Sequence, residues 1–235
     1  MTGVQTCALP ISINNWLMDR KGSHPVKDFT AIGQVVTLDN ALVAHPSFGV
    51  KNLRELVARA ASGPVVYGSS GSGTVGHLAM ELLRTIINIP CTHVPYKGGG
   101  PAITDVLGGQ IPLLAITVPT AAPHVQSGRL YGLVTMSATR SPVMPNVPTV
   151  AEQGFAPLAI VQWYGYFAPA GTPKKIVDYL QAEISKATLS PEVSKALTSS
   201  GNNVAVTSSA GFAKIVSDDV ERWGKVIREA NIQAN

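Results

Sequence analysis

Two short glycine-rich stretches hold most of the chemical information in this sequence. The first, Gly68 to Gly76 (GSSGSGTVG), joins a β-branched, aromatic run (Pro64 to Ser69) to a helix-like segment (Val75 to Asn88). A loop in that position leaves backbone N–H groups at the positive end of a helix, and the hydroxyls of Ser70, Ser72 and Thr74 add donors. Gly73 lets a ligand approach the backbone closely. The chemistry on offer is capture of an anion. The second stretch, Tyr96 to Pro101 (YKGGGP), stands at the same strand end one strand–helix unit later and contributes Tyr96, Lys97, Gly98 and Gly99. A third, Thr117 to Thr120 (TVPT), offers the hydroxyls of Thr117 and Thr120 around Pro119, although the same residues suit the first turn of a helix.

Gly71, Gly73 and Gly76 also satisfy G-x-G-x-x-G, which raises dinucleotide binding. NAD needs an acidic residue for its ribose at the end of the next strand, and there the chain has Tyr96 and Lys97. What survives is an NADP-dependent oxidoreductase with Lys97 on the extra phosphate. The plainest reading is that the glycines make a tight turn and cap a helix.

Catalytic arrangements are missing from the sequence. No serine lies in G-x-S-x-G. The five histidines, His24, His45, His77, His93 and His124, share no zinc-ligand spacing, and Cys7 and Cys91 form no C-x-x-C pair. His77 reads as a helix-surface residue and Cys91 as a small core hydrophobe. No metal, cofactor or catalysis is expected.

These loops need a scaffold, and the alternation of segments supplies one. Lys51 to Ala61 is helical by its apolar spacing and stops at Gly63. Strand–helix units recur through Cys91 to Leu107, Pro112 to Ser127 and Leu130 to Met136, which predicts an α/β fold with a mainly parallel sheet covered by helices. Ser141 to Pro148 holds three prolines and reads as a rigid surface connection. Beyond it come a strand-like run (Leu158 to Ala168) and helices over Lys174 to Leu189, Pro191 to Ser199 and Ser209 to Ala230.

Composition narrows the partners. The net charge of +4 arises from 18 basic and 14 acidic residues without a basic stripe, so nucleic acid is not expected. Every apolar run is interrupted well short of the roughly 20 residues a bilayer crossing needs. Met1 to Ile11 (MTGVQTCALPI) matches the translation of a sequencing-library adapter. Residues 1–11 are therefore expected to make few core contacts, within a non-native, disordered start over residues 1–24.

Four stretches together resemble the Bug family, the substrate-binding proteins of tripartite tricarboxylate transporters: VVYGSSGSGTVGHLAMELL, VPYKGGGPAITDVLGGQIPL, SATRSPVMPNVPTVAEQG and YGYFAPAGTP. The resemblance runs from about Pro25 to the C-terminal WGKVIREANI. It implies a two-lobed, Venus-flytrap binding protein of type II in the periplasm that delivers a small carboxylate to membrane transporter subunits. Mapped onto this chain, residues 48–162 form lobe two, and 25–47 with 163–235 form a partial lobe one lacking the family's first strand, loop and helix. No signal peptide is legible. Ligand contacts are expected from Ser70, Ser72, Gly73, Thr74, Tyr96, Lys97, Gly98, Gly99, Thr117, Pro119, Thr120 and Trp163, with an inactive α/β fragment as the remaining alternative.

Overall fold

The computed structural model describes residues 4–17, 24–229 and 232. In chain order these form β1 (Gln5–Ala8), α1 (Pro10–Leu17), β2 (Phe29–Leu38), β3 (Asn40–Ala44), α2 (Leu53–Ala60), β4 (Val65–Ser69), α3 (Val75–Ile87), β5 (Cys91–Pro95) and α4 (Gly99–Leu107). There follow β6 (Leu113–Thr117), α5 (Val118–Gln126), β7 (Tyr131–Thr135), β8 (Gln162–Pro169), α6 (Lys174–Thr188), α7 (Pro191–Ser199), β9 (Asn203–Val204) and α8 (Ser209–Glu229). Two compact units result. One takes the described residues up to Thr37 and from Gln162 onward, the other Leu38–Val161.

The first unit is built on a four-stranded sheet in the order β1-β8-β2-β9. Its core is aromatic: the Phe212 ring lies 5.0 Å from those of Trp163 and Phe167. Glycine at 165 is required there, because a Cβ would fall 2.3 Å from the Phe212 ring.

The expectation for the N-terminal stretch fails where it is described. Gln5–Ala8 pairs antiparallel with β8 from Gln5↔Phe167 to Ala8↔Tyr164. Leu9 is buried and donates its N–H to the Trp163 carbonyl at 3.1 Å, and Ser12 and Ile13 are fully buried. The physical reason is that a sheet edge recruits a strand through backbone groups, so a short uncharged segment without proline is accepted whatever its origin. Apolar Leu9 and Ile13 then supply burial. Residues 1–3 and 18–23 of that stretch lie outside the described residues.

The second unit carries a five-stranded sheet in the order β5-β4-β6-β3-β7. β4 is parallel to β5 and β6, as the strand–helix repeats predict. β3 departs from that prediction: it runs antiparallel to β6 in unbroken register and antiparallel to β7 with a register shift between Leu42 and Val43. It also corrects the lobe assignment of residues 25–47, since all five residues of β3 are buried inside the second sheet. A continuous apolar run of that kind belongs to a strand covered on both faces. The Ser141 to Pro148 segment is likewise partly core, with Met144 and Val147 packed against Gly132.

Around this sheet the helices are set by local chemistry. Asn52 Oδ1 accepts the Glu55 N–H at 2.9 Å and the Glu55 carboxylate accepts the Lys51 N–H at 2.7 Å, a reciprocal cap for α2. Gly76 lets α3 lie close on β6, because a Cβ there would come 2.5 Å from the Ala115 carbonyl oxygen.

Candidate ligand site

Parallel pairing of β5, β4 and β6 puts the ends of three strands along one sheet edge, with Ser69 opposite Pro95 on one side and Ala115 on the other. From that edge start α3, α4 and α5. Each helix start carries roughly half a positive charge on its free N–H groups, so three such ends on one edge favour an anion without a basic side chain.

The loop after β4 folds back on itself. Gly71 and Gly73 hold φ of 136° and 76°, which residues with a side chain rarely adopt. Ser69 Oγ accepts the Gly71 N–H at 3.1 Å and donates to the Gly71 carbonyl at 3.0 Å. Thr74 Oγ1 donates to the same carbonyl at 2.7 Å, and the Gly73 N–H is donated to His77 Nδ1 at 3.2 Å. These bonds correct two expectations. The Gly73 amide and the Thr74 hydroxyl are engaged inside the loop because the positive-φ glycines turn it inward. His77 is fully buried, not on the helix surface.

The second loop leans on the first. Tyr96 donates its N–H to the Ser69 carbonyl at 3.1 Å, and Gly98 to that of Ser70 at 3.0 Å. A Cβ on Gly71 would meet the Tyr96 carbonyl oxygen at 3.0 Å, and one on Gly99 would lie 3.6 Å from Ser70 Oγ. Ser70, Gly71, Tyr96, Gly98 and Gly99 are thus in one place. Tyr96 Oη donates to Asp105 at 2.7 Å, and burial with this bond pushes the phenol up to about 12. Lys97 is exposed and, among the described residues, in no ion pair. Ser72 is half-buried in the same turn.

At the third strand end Thr117 precedes α5, and its Oγ1 lies 3.0 Å from that of Thr120. Pro119 occupies the first turn, as its type suits. Asp39, which the sequence reading passed over, accepts the Val118 N–H through its carbonyl at 2.8 Å, and burial pushes its carboxyl up to about 6.

Trp163 is not among these groups. It lies in the core of the other unit, 2% exposed, with its Nε1–H donated to Asp219 at 2.7 Å. Its assignment as a ligand contact is corrected accordingly, since the one polar atom of the ring is engaged. An open pocket of about 850 Å³ lies elsewhere in the second unit, between α2 and the segment around Arg140, Glu152 and Phe155. Arg140 there is already held by Glu152 at 2.9 Å and Asn52 caps the helix end, which leaves Arg54 as the pocket's lining cation in no ion pair among the described residues.

An α/β chain of two units, one of which gathers three helix starts on a single sheet edge, has the make-up of a receptor for a small anion. The profile of the tripartite tricarboxylate transporter family receptor matches residues 6–232, and the chain belongs to that family. A Pseudomonas sp. protein encoded in the tcbD-tcbE intergenic region is 34% identical over 212 residues, covering 89% of this chain and 63% of that protein. BugT of Bordetella pertussis is 29% identical over 228 residues, covering 96% of this chain and 70% of BugT. The chain therefore spans 63% and 70% of the length of these two relatives.

Among solved structures, the periplasmic binding protein BugD superposes with a TM-score of 0.91 at 25% identity, covering 99% of this chain and 79% of BugD. An R. palustris protein with adipate gives 0.90 at 29% identity, covering 97% and 77%. MatC from Rhodopseudomonas palustris with bound malate gives 0.87 at 28%, covering 95% and 78%. The fold is the two-lobed, type II fold of periplasmic binding proteins.

Proposed function

We propose that this chain is a periplasmic solute-binding protein that captures a small carboxylate and hands it to the membrane subunits of a tripartite tricarboxylate-type transporter, catalysing no reaction. The observation that carries this reading is the shared edge of β5, β4 and β6, where three helix starts and two glycine-rich loops meet. Oriented N–H dipoles and hydroxyls suit a carboxylate, which accepts several hydrogen bonds at once. The adipate and malate held by the two R. palustris proteins support a dicarboxylate in particular. A nicotinamide nucleotide fits less well, because Tyr96 and Lys97 follow β5 where the ribose would need an acidic partner.

Titration calorimetry with malate, adipate, citrate and NADPH tests the reading. It predicts heat from at least one carboxylate and none from NADPH. Binding of NADPH alone would contradict it.

A further inference from the structure

Beneath the first loop lie two stacked imidazoles that reception of a carboxylate does not itself use. His77, in the first turn of α3, and His93, on β5, face each other with ring centroids 4.2 Å apart and planes 13° from parallel. Each reaches the loop through a different nitrogen. His77 Nδ1 accepts the Gly73 N–H and so bears no proton there. His93 Nε2 lies 2.7 Å from Ser69 Oγ. The Ser69 hydroxyl already donates to the Gly71 carbonyl, so the hydrogen on this contact comes from His93, whose Nδ1 is left as a bare lone pair. Both rings are neutral in this arrangement, each with its proton on Nε2.

We propose that His77 and His93 are positioning residues that hold the Ser69–Thr74 loop in its ligand-receiving shape, His77 through the Gly73 amide and His93 through the Ser69 hydroxyl. The role rests on the carboxylate-receptor reading above. Protonated His77 would point an N–H at the Gly73 N–H, two donors in opposition, and the loop would have to turn away. Protonated His93 would bury a second N–H without an acceptor and set a charge against its stacked neighbour.

The ionisable groups around the pair are few. Glu81 and Arg84 lie on α3, Tyr67 on β4 and Cys91 on β5. β3, β6 and the Ala156–Leu158 turn, which also pack on α3, carry none. Glu81 is engaged by Tyr67 Oη at 3.1 Å and Arg84 Nε at 2.9 Å. Burial accordingly wins over its charge: it holds His77 below the ordinary imidazole range, and His93, pressed further by His77, at about 4. With folded values below the unfolded one, the contribution is complete above about pH 6.5 and is lost as pH falls toward 4.

Two arms of one experiment decide the matter. In 15N-labelled protein, a coupling across the hydrogen bond between the Gly73 nitrogen and His77 Nδ1 is expected at neutral pH, fading as the imidazoles protonate. Its absence at neutral pH overturns the proposal. In calorimetry with malate, His77→Leu should weaken binding about tenfold, while His77→Gln, which keeps an acceptor, should stay within about threefold of the parent. Equal affinities for all three, in proteins that circular dichroism reports as folded, would overturn it. If the parent binds none of malate, adipate and citrate, that counts against the functional reading, and the coupling alone decides whether the histidines set the loop; if it binds one of the others, the same variants are compared with that carboxylate.

Discussion

The loops after β4 and β5 are both rich in glycine, yet they are held in different ways. Beneath the first lie the fully buried His77, the half-buried His93 and the Ser69 hydroxyl, and two of its glycines hold positive φ. The second is tied chiefly to the first, through the N–H groups of Tyr96 and Gly98, with Tyr96 fixed at its far end by Asp105. Gly100 meets nothing within 4 Å of where a Cβ would stand, whereas Gly71 is pressed against Tyr96. Glycine richness alone therefore does not say what a loop does. The anchoring groups below it do, and in this molecule they shape the first loop while the second follows.

Breaking the contact between the loops should have the largest effect. Gly71→Val places a branched side chain at φ 136° and against the Tyr96 carbonyl, so both loops should shift. The expected cost is about 2–3 kcal/mol of stability with malate binding lost, read by thermal melting and calorimetry. Ser69→Ala should come next. It removes the hydroxyl that joins His93 to both polar groups of Gly71, at about 1–3 kcal/mol, and the Gly71 amide should exchange faster with solvent.

The smallest effects should fall on the second loop. Gly100→Ala enters open space in the first turn of α4 and should leave stability unchanged or raise it by up to about 1 kcal/mol. Lys97→Ala should leave melting unchanged and weaken malate only a few-fold, an effect that salt reduces, as expected of an exposed cation. Equal losses from Gly71→Val and Gly100→Ala would erase the distinction between the loops.

Helices that follow a simple period were legible in both units. The helix expected at Pro191 to Ser199 is found with those bounds, and that at Val75 to Asn88 ends one residue sooner. Strand–loop–helix order alone was enough to bring the three loops to one edge. Local pattern failed where long-range packing decides. β3 is continuously apolar and gives no sign of its direction; only its two partners make it antiparallel. His77 was misjudged because Val75 through Glu81 are buried without a break, so the helix is covered on more than one side and shows no single apolar face there. The Gly73 bond to His77 depends on a φ no composition reveals. Trp163 was placed by resemblance, and its partner Asp219 is 56 residues away in the chain.

The central claim is that a carboxylate is received at the shared edge of β5, β4 and β6, and amide chemical shifts during a malate titration test it most directly. The account predicts changes concentrated at residues 70–74, 97–100 and 117–120. Saturable changes confined to the pocket around Asn52, Arg54 and Arg140, with those loops unmoved, would contradict it.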